Sequence, residues 1–506
     1  MNLFNLSGLI AIPLVSSPLV YLAGRLGSHD VTLHRRSYLV RVLALLAVLA
    51  SWLPFIVSAR DFLLLGTRKF NVATIWLSVD GISLLMAGCI LLLGTLVILF
   101  SGSYMMEEVG EEKYYAMLLA MIGLMIGLVT ASDLFNLWVW FEGMAISSYL
   151  LVAFYREQPA SLEAGMKYLV QSATGSVLVL VGTAMVLAQT GTLDMGEIMV
   201  AVSRPEVNRL ALLAAGALFF IGFGVKVALV PLHTWLPDAH SQAPSGISAM
   251  LSGVVIEIGL IAMLRALAAL TGFALSWGLL LMMFGGLNIR YGNLLALRQT
   301  MIKRLLAYSS LSHIGYILLG LGIAVYFGIS LGAQGAFFHL FNHMLMKGLA
   351  FLAVGALMYG IFLKNGSHAA LQINDMAGAA QRYPLAALAL SVAVLGLGGM
   401  PPLAGFMSKW QIFLAGFQTH NPWVIVLMIF MALNSVLSLG YYAPLVNMMY
   451  RGQPSRQVLA GKPLTWTISL TLLAMTSLVI LLGFAPGLLD WLTVPAGERL
   501  IEMFGH

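Results

Sequence analysis

The sequence predicts an all-α integral membrane protein of about fourteen spanning helices, with two inverted five-helix repeats and discontinuous seventh and twelfth helices. Three observations carry this reading. Charged residues are 9% of the 506, against roughly a quarter in ordinary soluble domains. Apolar runs long enough to cross a bilayer recur along the whole chain, while the ten-residue alternating strands of a barrel are missing. Two of the runs are interrupted by Pro and Gly, at "VPLHTWLPDAHSQAPSG" (230–246) and "GLGGMPPLAGFMSK" (396–409). Non-helical backbone at membrane depth is tolerated where it lines a cavity or is buried in protein, and paired interrupted segments mark an ion site in a repeat architecture. The interruptions fall five spans apart, and an odd repeat length makes the repeats inverted.

The runs centre near residues 14, 48 and 91, giving an N-terminal three-helix segment over 1–105. The first run, from Leu9 to Ala23, has no basic residue before it and is read as a retained helix, not a cleaved leader. Runs near 122, 145, 178, 218 and 256 make the first repeat, 106–270. Those near 280, 314, 344, 392 (continuing through its break to about 415) and 435 make the second, 271–450. A last run near 475 leaves 451–506 as a C-terminal helix and tail.

An even number of spans puts both termini on one side. The faces reached after odd-numbered spans hold most of the basic residues, among them Arg25, Arg35, Arg36, Arg41, Lys113, Lys303, Arg304 and Lys364. The opposite face holds fewer: Arg60, Arg68, Lys69, Arg204, Arg209, Arg265 and Arg499. The positive-inside rule then places both termini on the outer, periplasmic face of a cell membrane. It also accounts for the net charge of +6 without nucleic acid, because the basic residues sit in short loops and form no continuous face. Cys89, the only cysteine, lies inside an apolar run, so intrachain disulfides, iron–sulfur clusters and cysteine-based zinc sites are excluded.

Three lysines, Lys226, Lys347 and Lys409, fall within apolar runs. A lysine at the bilayer centre costs about 2.5–3.5 kcal/mol on insertion scales, so each is expected to face protein or water and to have a partner. Glu142, in "WFEGMAISSYL", and Glu257, in "SGVVIEIGLIAML", are equally deep and supply candidate partners. A desolvated lysine beside a movable carboxylate can take up and release a proton at modest cost. His339, His343 and Lys347 follow one another at four-residue steps, which stacks them on one helical face like a proton wire. Two histidines on one helix face do not reach opposite sides of a haem iron, and no further ligands accompany them for zinc. The acidic stretch "MEEVGEEK" (Glu107, Glu108, Glu111, Glu112) reads as a solvated turn. In "MIKRLLAYSSLSHIGY", Lys303 and Arg304 sit at an interface, with Ser309, Ser310, Ser312 and His313 entering the span, either to anchor the helix or to feed protons inward.

These segments resemble the antiporter-like subunit family shared by respiratory complex I, multisubunit Mrp sodium/proton antiporters and membrane-bound energy-converting hydrogenases. The resemblance covers about residues 75–450 and rests on "WFEGMAISSYLLVAF", "GVKVALVPLHTWLPDAHSQAPSGISAMLSG", "QTMIKRLLAYSSLSHIGYILLGLG", "HLFNHMLMKGLAFL" and "GGMPPLAGFMSKW". It implies that Glu142 and Lys226 are the carboxylate–lysine pair of a first half-channel, Lys347 part of a central or second relay, and Lys409 the exit-side group. His233, His240, His313, His339 and His343 match polar positions along the family's hydrated axis. Where many relatives carry a lysine or histidine in the eighth span, this chain has Glu257. The resemblance further implies no cofactor in this chain, with iron–sulfur clusters, flavin or NiFe in peripheral redox subunits, and other membrane subunits as partners.

The expected function is therefore proton translocation within a redox-driven respiratory complex. An ion-exchanging subunit of an Mrp-type antiporter is the second reading, and a structural module that has lost pumping is a third.

Overall fold

A computed structural model describes residues 3–26, 33–72, 75–106, 108–271, 276–362, 370–451 and 453–506. Glu107 and Lys364 lie outside the described residues, as do the side chains of Arg35 and Arg36.

The chain is nearly all helical. It begins with α1 (Leu3–Arg25) and α2 (Leu33–Leu65), then turns through an antiparallel hairpin of β1 (Arg68–Val72) and β2 (Ile75–Val79). The hairpin is a small addition to an otherwise helical fold: "RKFNV" and "IWLSV" are short and half their residues are β-branched or aromatic, the composition that suits a pleated half-buried surface. Asp80 then caps α3 (Gly81–Tyr104) through a reciprocal capping box with Ser83. Next come α4 (Glu111–Thr130), α5 (Leu134–Val152), α6 (Pro159–Thr190), the short α7 (Met195–Ala201) and α8 (Arg209–Val227). The chain leaves helical geometry after Val227 and resumes as α9 (Trp235–Gln242) and α10 (Ser245–Met250). A single π-helical turn, Leu251–Val255, joins α10 to α11 (Ile256–Ala268). Beyond lie α12 (Trp277–Ala296), α13 (Ile302–Phe327), α14 (Ser330–Ile361), the short α15 (Ala379–Arg382) and α16 (Pro384–Gly398). A second interruption separates α16 from α17 (Ala404–Gln418), and the chain closes with α18 (Pro422–Arg451), α19 (Arg456–Ala460), α20 (Trp466–Phe484) and α21 (Asp490–Met503).

Twelve helical spans among the described residues are long and apolar enough to cross a membrane, and Pro384–Gly398 is a shorter apolar helix. α10–α11 and α14 are buried along their whole length, α3 and α13 nearly so, while α6 and α18 present broad apolar faces to the outside. Helices apolar all round belong in a core, and those with an exposed apolar face meet lipid or another membrane chain. Glycine permits the closest approaches. A Cβ at Gly285 would lie 2.9 Å from the Gly315 carbonyl oxygen, and one at Gly175 would lie 2.6 Å from that of Gly222. Hence α12 packs on α13, and α6 on α8, nearly backbone to backbone.

Two sequence assignments change. Arg265, placed in an outer loop by the charge census, is buried and bonds both carboxylate oxygens of Asp80, at 2.9 and 3.0 Å. The C-terminal tail ends in α21, which packs on α3 and α14 and sends Arg499 to the same carboxylate at 3.4 Å. A buried charge needs partners, and the two arginines bind the C-terminal helix to α3 and α11 through one buried aspartate.

Candidate functional site

The first break sets the environment of Lys226. α8 ends on Ala228, a non-glycine residue in the left-handed conformation (φ 58°). Carbonyls freed there find new donors: Trp235 Nε1 bonds Val225 O at 2.8 Å and Asn288 Nδ2 bonds Ala228 O at 3.3 Å, while Asn288 Oδ1 accepts from Val230 N at 2.8 Å. Asn288 on α12 thus staples the opened backbone. The Lys226 ammonium, in the last turn of α8, gains from the negative end of that helix dipole. It donates to Tyr168 OH at 2.5 Å and Ser148 Oγ at 3.1 Å, and Tyr168 stacks on Trp235 with ring centroids 4.0 Å apart. Glu142, on the same helix as Ser148, is half-buried, its Oε2 has no hydrogen-bond partner, and it makes no ion pair within 4.0 Å among the described residues. Tyr168 and Ser148 therefore stand where the sequence leads one to expect the carboxylate.

The π turn runs into α11, whose second residue, Glu257, is fully buried. Such turns recur at functional sites. Glu257 and His343 are both fully buried, and Oε1 shares a hydrogen bond of 2.7 Å with Nδ1, leaving Oε2 and Nε2 without partners. His313 stacks on His343 with centroids 5.4 Å apart and on His339 at 5.3 Å. Its Nδ1 lies 3.1 Å from His339 Nε2, and His339 Nδ1 lies 2.8 Å from Ser408 Oγ. Ser408 precedes Lys409, whose ammonium donates to Leu397 O and Ser435 Oγ at 2.8 Å each and lies 4.5 Å from the Tyr316 ring centroid. Leu397 and, through Ser435, Gly398 are carbonyls freed at the second break. Glu257, His343, His313, His339 and Ser408 thus form a series from α11 toward the second break, joined by hydrogen bonds except at the His343–His313 step, which is a ring stack, and ending at the residue before Lys409.

The stripe of His339, His343 and Lys347 is present on α14, but each member turns to a different neighbour. Lys347 donates to Leu306 O at 2.7 Å and to Ser309 Oγ, so it lies beside the histidine series and not within it. His240 is fully buried against Phe351, with centroids 4.7 Å apart and neither ring nitrogen hydrogen-bonded. His233 is half-buried, faces Tyr308 and leaves Nδ1 without a partner. Buried polar atoms without protein partners are the positions that ordered water serves.

Lys303 is a fourth buried lysine. It donates to Ala243 O, at the end of α9, at 2.9 Å. Arg304 and Lys167 hold Asp238 of α9 from two sides, at 2.6 and 3.0 Å. Tyr168, Tyr316, Asn288, Ser408 and Ser435 were not singled out from the sequence. A Tyr, Ser or Asn inside an otherwise apolar span was the available signal, since such groups seek partners in hydrocarbon. Among the described residues, no three His, Cys, Asp or Glu side chains are grouped to hold a metal ion.

Residues 131–438 match the family model described as NADH:quinone oxidoreductase/Mrp antiporter, TM, and residues 68–115 match that of the complex I chain 5 N-terminus. The chain is 33% identical over 417 residues to F(420)H(2) dehydrogenase subunit N of Methanosarcina mazei, covering 81% of this chain and 83% of the relative. It is 32% identical over 438 residues to hydrogenase-4 component B of Escherichia coli, covering 82% of this chain but only 63% of that longer protein. Among solved structures it resembles a chain of the membrane-bound sulfane sulfur reductase, an archaeal respiratory membrane complex, with TM-score 0.86, 28% identity and 98% of both chains covered. A chain of the Mrp complex from Dietzia shares the fold at TM-score 0.85 and 21% identity, covering 99% of this chain and 98% of that one.

Proposed function

The chain belongs to the NADH:quinone oxidoreductase/Mrp antiporter membrane family, and on that premise we propose that it is the proton-translocating membrane subunit of a redox-driven respiratory complex. The single observation that carries the reading is the buried series Glu257, His343, His313, His339 and Ser408, which begins just after the π turn and ends beside Lys409 near the second break. Each member can hold or pass a proton, and none is placed to react with a substrate.

Fourteen spans follow when α5 and the interrupted α16–α17 unit join the twelve long apolar spans. α4 to α11 then form one five-span repeat, containing the α8–α9 break, and α12 to α18 the second, containing the α16–α17 break. Lys226 and Glu142 load the first half; Glu257, His343, His313 and His339 carry protons across the middle; Lys409 releases them. Tyr168 and Ser148 hold the Lys226 ammonium in the state captured here, and approach of Glu142 to that ammonium is the switch. Both termini lie on the outer face, which makes the basic-rich face cytoplasmic. Electron transfer takes place in peripheral subunits carrying iron–sulfur clusters, flavin or NiFe, and further antiporter-like subunits flank this one in the membrane.

Purification of the chain with its native partners tests the redox assignment. Peripheral iron–sulfur or flavin subunits are expected to copurify, and an assembly made only of small membrane subunits would replace the reading with Mrp-type ion exchange.

A further inference from the structure

Two buried asparagines of α12 join the interrupted helices by a route apart from the histidine series. At the first break the Asn288 amide serves both backbone groups that the opened chain frees: Oδ1 accepts from Val230 N at 2.8 Å and Nδ2 donates to Ala228 O at 3.3 Å. A side-chain amide suits the place because it carries a donor and an acceptor together. Ala228 lies two residues beyond Lys226 and holds the left-handed conformation, so a turn of the backbone at Lys226 moves atoms that Asn288 grips. Five residues on, the Asn293 amide serves α18: Nδ2 donates to Asn434 O at 3.1 Å, and Oδ1 accepts from Tyr441 OH at 2.9 Å. Ser435, the residue after Asn434, donates to Gly398 O at 3.2 Å and accepts from the Lys409 ammonium at 2.8 Å. Both asparagines are fully buried.

The helix between the two amides is stiff. Five residues of α-helix set them about 7.5 Å apart along the axis and about 140° apart around it, which suits one to α8 and the other to α18. α12 runs unbroken from Trp277 to Ala296. Gly278, Gly285 and Gly292, at seven-residue steps, lie against the α13 backbone, where a Cβ on each would come within 2.7, 2.9 and 2.6 Å of Gly322 O, Gly315 O and Ser312 N. Packed this closely, α12 has no room to bend and shifts as a unit.

Resting on the proton-translocation reading above, we propose that Asn288 and Asn293 are positioning residues that tie the backbone at Lys226 to the backbone at Lys409 through α12, so that the two half-channels change state together. When the first break shifts, Asn288 draws α12 with it, Asn293 draws Asn434, and Ser435 resets its hold on the Lys409 ammonium. Neither amide carries a proton. The coupling is reciprocal, so a change at the second break is felt equally at the first.

Backbone hydrogen exchange in the assembled complex, read by mass spectrometry, tests the link from each end. Asn293→Leu removes no hydrogen bond at the first break, and Asn288→Leu removes none at the second. Asn293→Leu is expected to raise exchange across 228–235 about tenfold, the scale of one lost hydrogen bond, and Asn288→Leu to raise it similarly across 397–404, with α3 unchanged in both. In the double variant, exchange at each break should match that of the nearer single substitution, because the link is already cut. Alanine variants serve if leucine prevents assembly. Exchange at the far break at the unsubstituted rate overturns the link, and so does a rise spread equally over α3, which marks general loosening. Proton uptake in vesicles is the second readout: each single variant should slow it, and full uptake despite raised exchange at the far break overturns the positioning role. Lys226→Ala separates the link from its premise. Uptake lost in Lys226→Ala, with far-break exchange unchanged in the asparagine variants, overturns the link and leaves translocation standing, whereas full uptake in Lys226→Ala overturns the translocation reading itself.

Discussion

Replacing Glu257 by Gln separates proton carriage from packing. The carboxyl is fully buried and shares its 2.7 Å hydrogen bond with an equally buried His343. Gln has nearly the same volume and still bonds the imidazole, so the loss to folding is bounded by the worth of one charge-assisted hydrogen bond, about 1.5–3 kcal/mol. An amide does not take up and release a proton at neutral pH. Loss of a positioned acid or base costs about 10²- to 10⁴-fold in rate, equivalent to about 3–5 kcal/mol on the barrier. Transport should therefore fall far more than stability. The assay compares initial proton uptake in vesicles containing the assembled complex with its thermal unfolding in detergent. Uptake at the unsubstituted rate would refute a path through Glu257 and return the Glu257–His343 pair to a packing role. Parallel losses of uptake and assembly would point the same way, and Glu257→Leu would then show whether a packed apolar side chain restores the fold.

Three further outcomes follow from the geometry. Tyr168→Phe removes the shorter of the two hydrogen bonds to the Lys226 ammonium and keeps the ring on Trp235; uptake should slow about tenfold, as the loss of roughly 1.5 kcal/mol from a charged hydrogen bond implies, with assembly intact on native gels. Asp80→Ala leaves Arg265 buried without its carboxylate; breaking one partner from a buried pair costs about 3–5 kcal/mol, so the substituted chain should unfold at markedly lower temperature, whereas Glu502→Ala, at an exposed pair with Arg499, should not. For Glu108, burial favours the neutral acid and holds the carboxyl at about 7, above the ordinary value near 4.3. The folded chain therefore binds a proton there that the unfolded chain has lost, and this site's contribution to stability declines as pH rises from about 4.5 to about 7. At pH 6 Glu108 should remain protonated and react with a carbodiimide, as mass spectrometry of the loop peptide would show.

The spans and both helix breaks were legible because their signals are local. A run of apolar residues states its own length, and Pro231, Pro237, Gly399 and Pro401 punctuate it in place. The intramembrane lysines were legible for the same reason, each being an isolated cost in hydrocarbon. Partnerships were not. Glu257 meets His343, 86 residues away, and Arg265 meets Asp80, 185 away; no periodicity within one helix selects among the carboxylates of another. Lys303 reads as interfacial because it follows a polar loop, but the Ala243 carbonyl at the end of α9 draws it into the interior. The Tyr168–Ser148 cradle was missed because a tyrosine in an amphipathic helix looks like packing until a cation is found against it. The hairpin of β1 and β2 was missed because two five-residue strands between apolar helices are overshadowed by the hydropathy on either side.

Proton translocation by this chain requires that its buried, exchangeable groups carry the transported proton. The most direct measurement is the proton gradient formed by the assembled complex carrying Lys226→Ala, recorded together with its electron-transfer turnover. A gradient that collapses, with turnover either slowed or uncoupled, is the predicted result. A full gradient at normal turnover would contradict it.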